Sequence, residues 1–124
     1  MSHFSISSLI QNFEIYSSEI VGIYFILAKL NQDIQSFQNA ENYFNECIEI
    51  YQSLSVKNPK IYLPYLARTQ INLALMYQEN ISEREKSILL LHEAIETLER
   101  FDKKEFEEAL QSAYEILEKW NIEP

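Results

Sequence analysis

The sequence predicts an all-α fold, and three observations carry that expectation. Glycine occurs once and proline three times in 124 residues, so the residues that punctuate strand-rich folds at their turns are nearly missing. Apolar residues make up 47% of the chain, too many for a disordered segment. They recur at spacings of three and four, the period of one face of a helix. The length suits one domain with a core of its own.

Five helices follow in order. Helix one is expected over 8–31, with Ile10, Phe13, Tyr16, Ile20, Ile23, Tyr24, Leu27 and Leu30 as its apolar positions. Towards its end it is apolar on nearly every side, which calls for neighbours on more than one face. Gly22 lowers its helix propensity by about 1 kcal/mol relative to Ala, so packing must hold it, and Gly22 marks a candidate close crossing. A polar turn spans 31–35, and Ser36 is placed to cap helix two over 37–54. Phe37, Ala40, Phe44, Cys47, Ile48 and Tyr51 line one face of that helix.

The linker is 55–59, because a residue before proline is pushed out of the helical region. Helix three runs from 61 or 63 to 79, with Pro64 in its first turn, where a missing N–H costs little. Leu66, Thr69, Leu73, Ala74 and Tyr77 form its stripe. Ser82 and Glu85 form a capping-box pattern that opens helix four, 83–100, with Ile88, Leu91, Ala94, Ile95 and Leu98. Asp102 and Glu105 repeat the pattern before helix five, 103–120, whose stripe is Phe106, Leu110, Ala113, Leu117 and Trp120. The last four residues are expected to fray.

The net charge is −9, and 81–124 holds twelve acidic residues against six basic ones. Such a surface repels phosphate backbones and anionic bilayers, which argues against nucleic acid and membranes as partners. The most apolar run, 20–30, is eleven residues long and contains Lys29; a bilayer span needs about 20. The first residues have neither a basic nor an apolar leader segment. Cys47 is the only cysteine, which rules out an intramolecular disulfide and fits a reducing compartment. The expected location is the cytoplasm.

Catalytic chemistry has little to stand on. His3 and His92 are far apart in sequence and neither has a second ligand at metal-binding spacing. The glutamates of helices four and five lack the Glu-x-x-His pairs of a di-metal bundle. There is no glycine-rich phosphate loop, nucleophile elbow or cysteine pair. No enzyme, metal or cofactor is expected.

The two halves of the chain repeat. Leu27 and Ala28 match Leu73 and Ala74 at an offset of 46, while Ala40, Phe44 and Cys47 match Ser87, Leu91 and Ala94 at 47. Helix pairs at this period mark a helical solenoid. With a Leu-small-aromatic run in the first helix and small and apolar positions along the second, these residues resemble the tetratricopeptide repeats. The stretch NPKIYLPYLARTQINLALMY is similar to the longer repeats, about 42 residues, of bacterial arrays and kinesin light chains. The resemblance covers roughly 20–101. Asn31 and Arg84 depart from the family's aromatic preferences.

The resemblance implies a right-handed helical-hairpin solenoid, with repeat one at about 8–54, repeat two at about 61–100 and a capping helix at about 103–120. It also implies a peptide or partner-protein segment held in a concave groove of helices one and three. Carried over residue by residue, that groove takes Phe25, Lys29, Gln32 and Asp33 from helix one. Helix three gives Arg68, Ile71, Asn72, Leu75 and Gln78. Family members use an Asn at the place of Asn72 to bond a ligand's backbone, and Arg68 one turn earlier suits a carboxylate. The alternative is that Asn72 serves a neighbouring helix end and Arg68 pairs with a surface glutamate. Phe25 and the acidic surroundings of Glu107 leave the family's carboxylate clamp incomplete. Two rivals to peptide binding are self-association, as a homodimer through helix one or five, and service as a dedicated chaperone or regulator of one protein.

Overall fold

The structure, a computed structural model, describes residues 5–101 and 104–122. Asp102 and Lys103, where the sequence places the start of helix five, lie outside them, as do His3, Glu123, Pro124 and the side chain of Ile10. Five helices and no strands fill the described residues: α1 Ile6–Asp33, α2 Phe37–Lys57, α3 Pro59–Met76, α4 Arg84–Glu99 and α5 Glu107–Ile122. A π-helical turn, Tyr77–Ile81, extends α3, and a 3-10 turn, Lys104–Phe106, precedes α5.

Successive helices pack antiparallel. Val21 of α1 meets Cys47 of α2, and further along α1 the Phe25 ring meets Phe44 edge-on. Tyr51 stacks on Tyr65 while Tyr77 reaches back to Glu41. Gln70 bonds Glu93 and Ala74 bonds Ser87, so α3 and α4 run oppositely. The result is an array of helical hairpins.

Two core clusters share α3. Its Leu66, Leu73, Met76 and Tyr77 pack with Ala28, Ala40, Phe44 and Ile48. Its Ala67, Ile71 and Ala74 pack with Leu91, Ala94, Leu98, Phe106, Ala113, Ile116 and Trp120. The helix covered on two sides is therefore α3. The sequence assigns that role to helix one, and this is corrected: among the described side chains of α1 only Val21 and Ala28 are buried. Gly22 is no crossing point either, since a Cβ there would meet nothing within 4 Å.

The repeat is visible in burial. Ala28, Ala40, Phe44 and Cys47 are wholly covered, and so are Ala74, Ser87, Leu91 and Ala94. Each hairpin turns through a left-handed residue, Gln35 (φ 65°) or Ser82 (φ 50°). Those two are 47 apart, whereas the helices before them match at 46. The π-turn at Tyr77–Ile81 absorbs the extra residue, a common use of a π-bulge.

Several boundaries differ from expectation. Residues 55–57 are helical, so the break shrinks to Asn58 alone. Pro59, not Pro64, takes the first helical position, with Asn58 as N-cap. Pro64 lies a turn further in and removes the donor for the Lys60 carbonyl, which sits on an exposed residue. The Ser82–Glu85 capping box does not form: Ser82 is spent on the left-handed turn and Glu83 is the N-cap, with no side-chain bond. Ser36 is the N-cap of α2 but makes no capping bond; its hydroxyl accepts from Asn39 instead. Asn121 and Ile122 continue α5.

One buried hydroxyl ties three helices. Ser87 Oγ donates to the Ala74 carbonyl (2.8 Å) and accepts from Trp120 Nε1 (2.7 Å). Removing it strands a buried indole N–H, a loss of about 1–3 kcal/mol. Ser87→Ala is expected to lower the urea unfolding free energy by about 2 kcal/mol, and clearly less in a Trp120→Phe background, where the donor is already gone. Equal losses in both backgrounds would contradict the bond.

Candidate functional site

The structure divides the expected groove. Arg68, Ile71, Asn72 and Leu75 do line one wall of a cleft of about 480 Å³, but its opposite wall is Glu105, Glu108, Ala109 and Ser112, not helix one. Lys29, Gln32 and Asp33 open instead into a separate polar cleft of about 490 Å³ with Gln35, Phe37, Glu79 and Asn80. Phe25 is half-buried, its ring set edge-on to Phe44. Gln78 donates to the Ile116 carbonyl and so ties α3 to α5 (2.9 Å). The nine residues are not one surface.

Within the α3–α5 cleft, Asn72 Nδ2 donates to the Arg68 carbonyl of its own helix (2.9 Å). The Arg68 guanidinium sits 5.9 Å from the centre of the Phe106 ring, a cation–π arrangement. Glu105 and Glu108 face them, and Ile71, Leu75 and Ala109 supply the apolar floor.

A second surface is larger. Ile6, Leu9, Phe13, Tyr16, Ile20, Ile23, Leu27, Leu30 and Ile34 follow one another at alternating spacings of three and four. These are nine consecutive core positions of a heptad repeat, the seam along which one helix receives another. Leu27 is half-buried, and the other eight are 42% to 77% exposed. Ile15 and Ile26 widen the strip. α2 covers the opposite flank of α1, through Val21 and Ala28, and apart from the end of α2, which borders Leu9 and Phe13, no described element of the chain lies along the seam. Sequence reasoning marked six of these residues as apolar positions in need of neighbours. The missed signal is the period: a strict 3.5-residue repeat belongs to a two-helix seam, whereas a face buried in a globular core drifts with 3.6.

At the first end of the seam, Leu9 and Phe13 join Leu54 and Val56 around an apolar groove of about 420 Å³. Beside it Glu14 accepts from Tyr62 Oη (2.8 Å) and Asn58 Nδ2 (3.0 Å), and Ser18 lies 3.1 Å from Tyr62 Oη. This network fixes the angle at which α1 leaves the body.

The titrating groups are structural in their surroundings. Burial, then the neighbouring Glu46, pushes the Cys47 thiol up to about 11, and the thiol donates to the Val21 carbonyl. Burial pushes Tyr51 up to about 12, helped by Cys47, Tyr65 and Tyr62. Burial and the bond to Glu41 also raise Tyr77. Among the described residues no group of three His, Cys, Asp or Glu side chains is placed to hold a metal ion. No described helix is long and apolar enough to cross a membrane.

Comparison of the chain with family models, with curated proteins and with solved structures finds no match. The geometry alone carries the functional argument.

Cys47 and Tyr51 are acids whose neutral forms the fold favours. Their stabilisation is complete below their ordinary values of 9.0 and 10.0 and is lost as pH rises through about 11 and about 12. Urea midpoints are therefore expected to fall from pH 9 upwards, and native Cys47 to react with a thiol reagent at pH 8 about 100-fold more slowly than in the unfolded chain. A flat profile and a fast thiol would contradict this burial. In the cleft, Asn72→Ala is expected to change stability by no more than about 0.5 kcal/mol, because its bond is local and part-exposed. Arg68→Ala is expected to cost about 0.5–1 kcal/mol through the lost ring contact.

Proposed function

We propose that this chain is a non-catalytic protein-interaction module, a tetratricopeptide-like array of helix pairs that works in the cytoplasm, and that α1 is its working surface. The observation that supports this is the uncovered heptad seam. Leaving that much apolar surface in water is costly unless a partner covers it, at about 25 cal/mol per Å², and patches beyond a few hundred Å² mark interaction sites. A seam of this period selects a helix carrying its own apolar stripe. The body behind it is tied by Ser87, and the Glu14 network anchors α1 to it.

A second reading concerns the cleft between α3 and α5. It keeps Arg68, Ile71, Asn72 and Leu75 as a peptide-binding wall and adds Glu105 and Glu108. An extended segment with an apolar residue and a basic residue fits those walls. This reading has the smaller and more polar surface behind it.

The test uses a labelled synthetic helix with Ile and Leu at its core heptad positions and Lys and Glu elsewhere. Fluorescence anisotropy is expected to show binding to the wild-type chain and at least tenfold weaker binding to Ile23→Glu. Because Ile23 is 57% exposed, the substitution is expected to leave stability within about 0.5 kcal/mol. Equal binding by both chains would rule out the seam, as would binding by neither at concentrations where the chain is a monomer.

A further inference from the structure

We infer that the helix which covers the α1 seam is α1 of a second copy, laid antiparallel across a two-fold axis near residues 21 and 22. This rests on the seam as the working surface and names its occupant.

Three features favour a second copy. The first is self-complementarity. In the antiparallel register each layer joins two seam residues of different copies: Phe13 with Leu30, Tyr16 with Leu27, and Ile20 with Ile23. The same helix thus supplies both halves of every layer, as an isologous interface requires. The second is area. At roughly 150–250 Å² for a large side chain, the exposed fractions leave on the order of 900 Å² uncovered per copy, against about 800 Å² per partner in a standard interface. The third is charge. The chain carries −9 overall, which drives copies apart, but α1 holds only Glu14, Glu19, Lys29 and Asp33. Glu14 is turned away into its bonds with Tyr62 and Asn58. In this register Glu19 falls beside Ile26 of the second copy and Asp33 beside Asn12, so no like charges meet.

Helix dipoles favour the antiparallel sense. That sense also brings Ile34 of the second copy, 73% exposed at the end of α1, to Leu9 at the mouth of the apolar groove of Leu9, Phe13, Leu54 and Val56.

The experiment is sedimentation equilibrium of the full chain from about 1 µM to 1 mM, with Ile23→Glu, Tyr16→Glu and, as an off-seam control, Leu89→Glu, since Leu89 is exposed on α4. Circular dichroism checks that all three keep their helix content. The expected result is a wild-type dimer with a dissociation constant below about 10 µM. The two seam variants are expected to weaken it at least 100-fold and the control by less than threefold. Mixing Leu9→Cys and Ile34→Cys chains under oxidation is expected to give the 9–34 crosslink; a dominant 9–9 crosslink overturns the antiparallel sense. A dimer indifferent to the seam variants overturns the proposal by placing the interface elsewhere. A wild-type monomer at 1 mM that still binds the synthetic heptad helix overturns self-pairing and leaves the seam as a site for another protein. A monomer that binds neither overturns both.

Discussion

The burial of α3 on two sides is the constraint on which the rest of this structure depends. A helix between two cores must let both neighbours approach closely, and Ala67 and Ala74, both fully covered, allow it on the α4–α5 side. On the other side Leu66, Leu73 and Met76 interdigitate with Phe44 and Ile48. Close approach also brings the Ala74 carbonyl within reach of Ser87, and the same hydroxyl takes the indole N–H of Trp120. A small polar residue at a crossing thus does what a second alanine would not: it fixes the register of α3, α4 and α5 together.

Once α3 is fixed, the ends of the array differ. α5 closes one end by packing Phe106, Ala113, Ile116 and Trp120 inward, with Glu107, Glu108, Glu115 and Glu118 exposed. Its amphipathic pattern matches its one-sided burial. α1 occupies the other end with one flank on α2 and its seam open. The contrast between a charged outer face on α5 and an apolar one on α1 is the asymmetry from which the functional proposal is built. A terminal repeat that needed only solubility would have a polar outer face.

The helices and their inward stripes were legible in the sequence wherever one face alone is buried. Ala40, Phe44 and Cys47 in α2, and Leu91, Ala94 and Leu98 in α4, lie where their spacing places them. Boundaries were less legible because local rules compete. Asn58 before Pro59 predicts a break, but continued packing carries α2 through Lys57, with Leu54 buried near its end. Ser82 satisfies a capping-box pattern in sequence, yet the one-residue excess of the second hairpin spends it on a left-handed turn. The expected groove failed on placement more than on chemistry. Arg68, Ile71, Asn72 and Leu75 share a cleft, but the facing wall comes from α5, because Gln78 and Phe106 dock that helix beside α3. What covers the seam stayed open for a physical reason as well: apolar periodicity reports that a face wants to be covered, not whether the covering element belongs to the same chain.

On the proposed function, the seam of α1 faces water in a single chain and is covered only by a partner helix. Methyl relaxation by a soluble paramagnetic agent, followed over a dilution series, tests it most directly. At the lowest concentrations the methyl groups of Ile20, Ile23 and Leu30 should relax as fast as that of exposed Val56, while those of Leu73, Leu91 and Leu98 stay protected throughout. Seam methyl groups as protected as Leu91 at every dilution would mean that the chain covers α1 by itself, and the claim would fail.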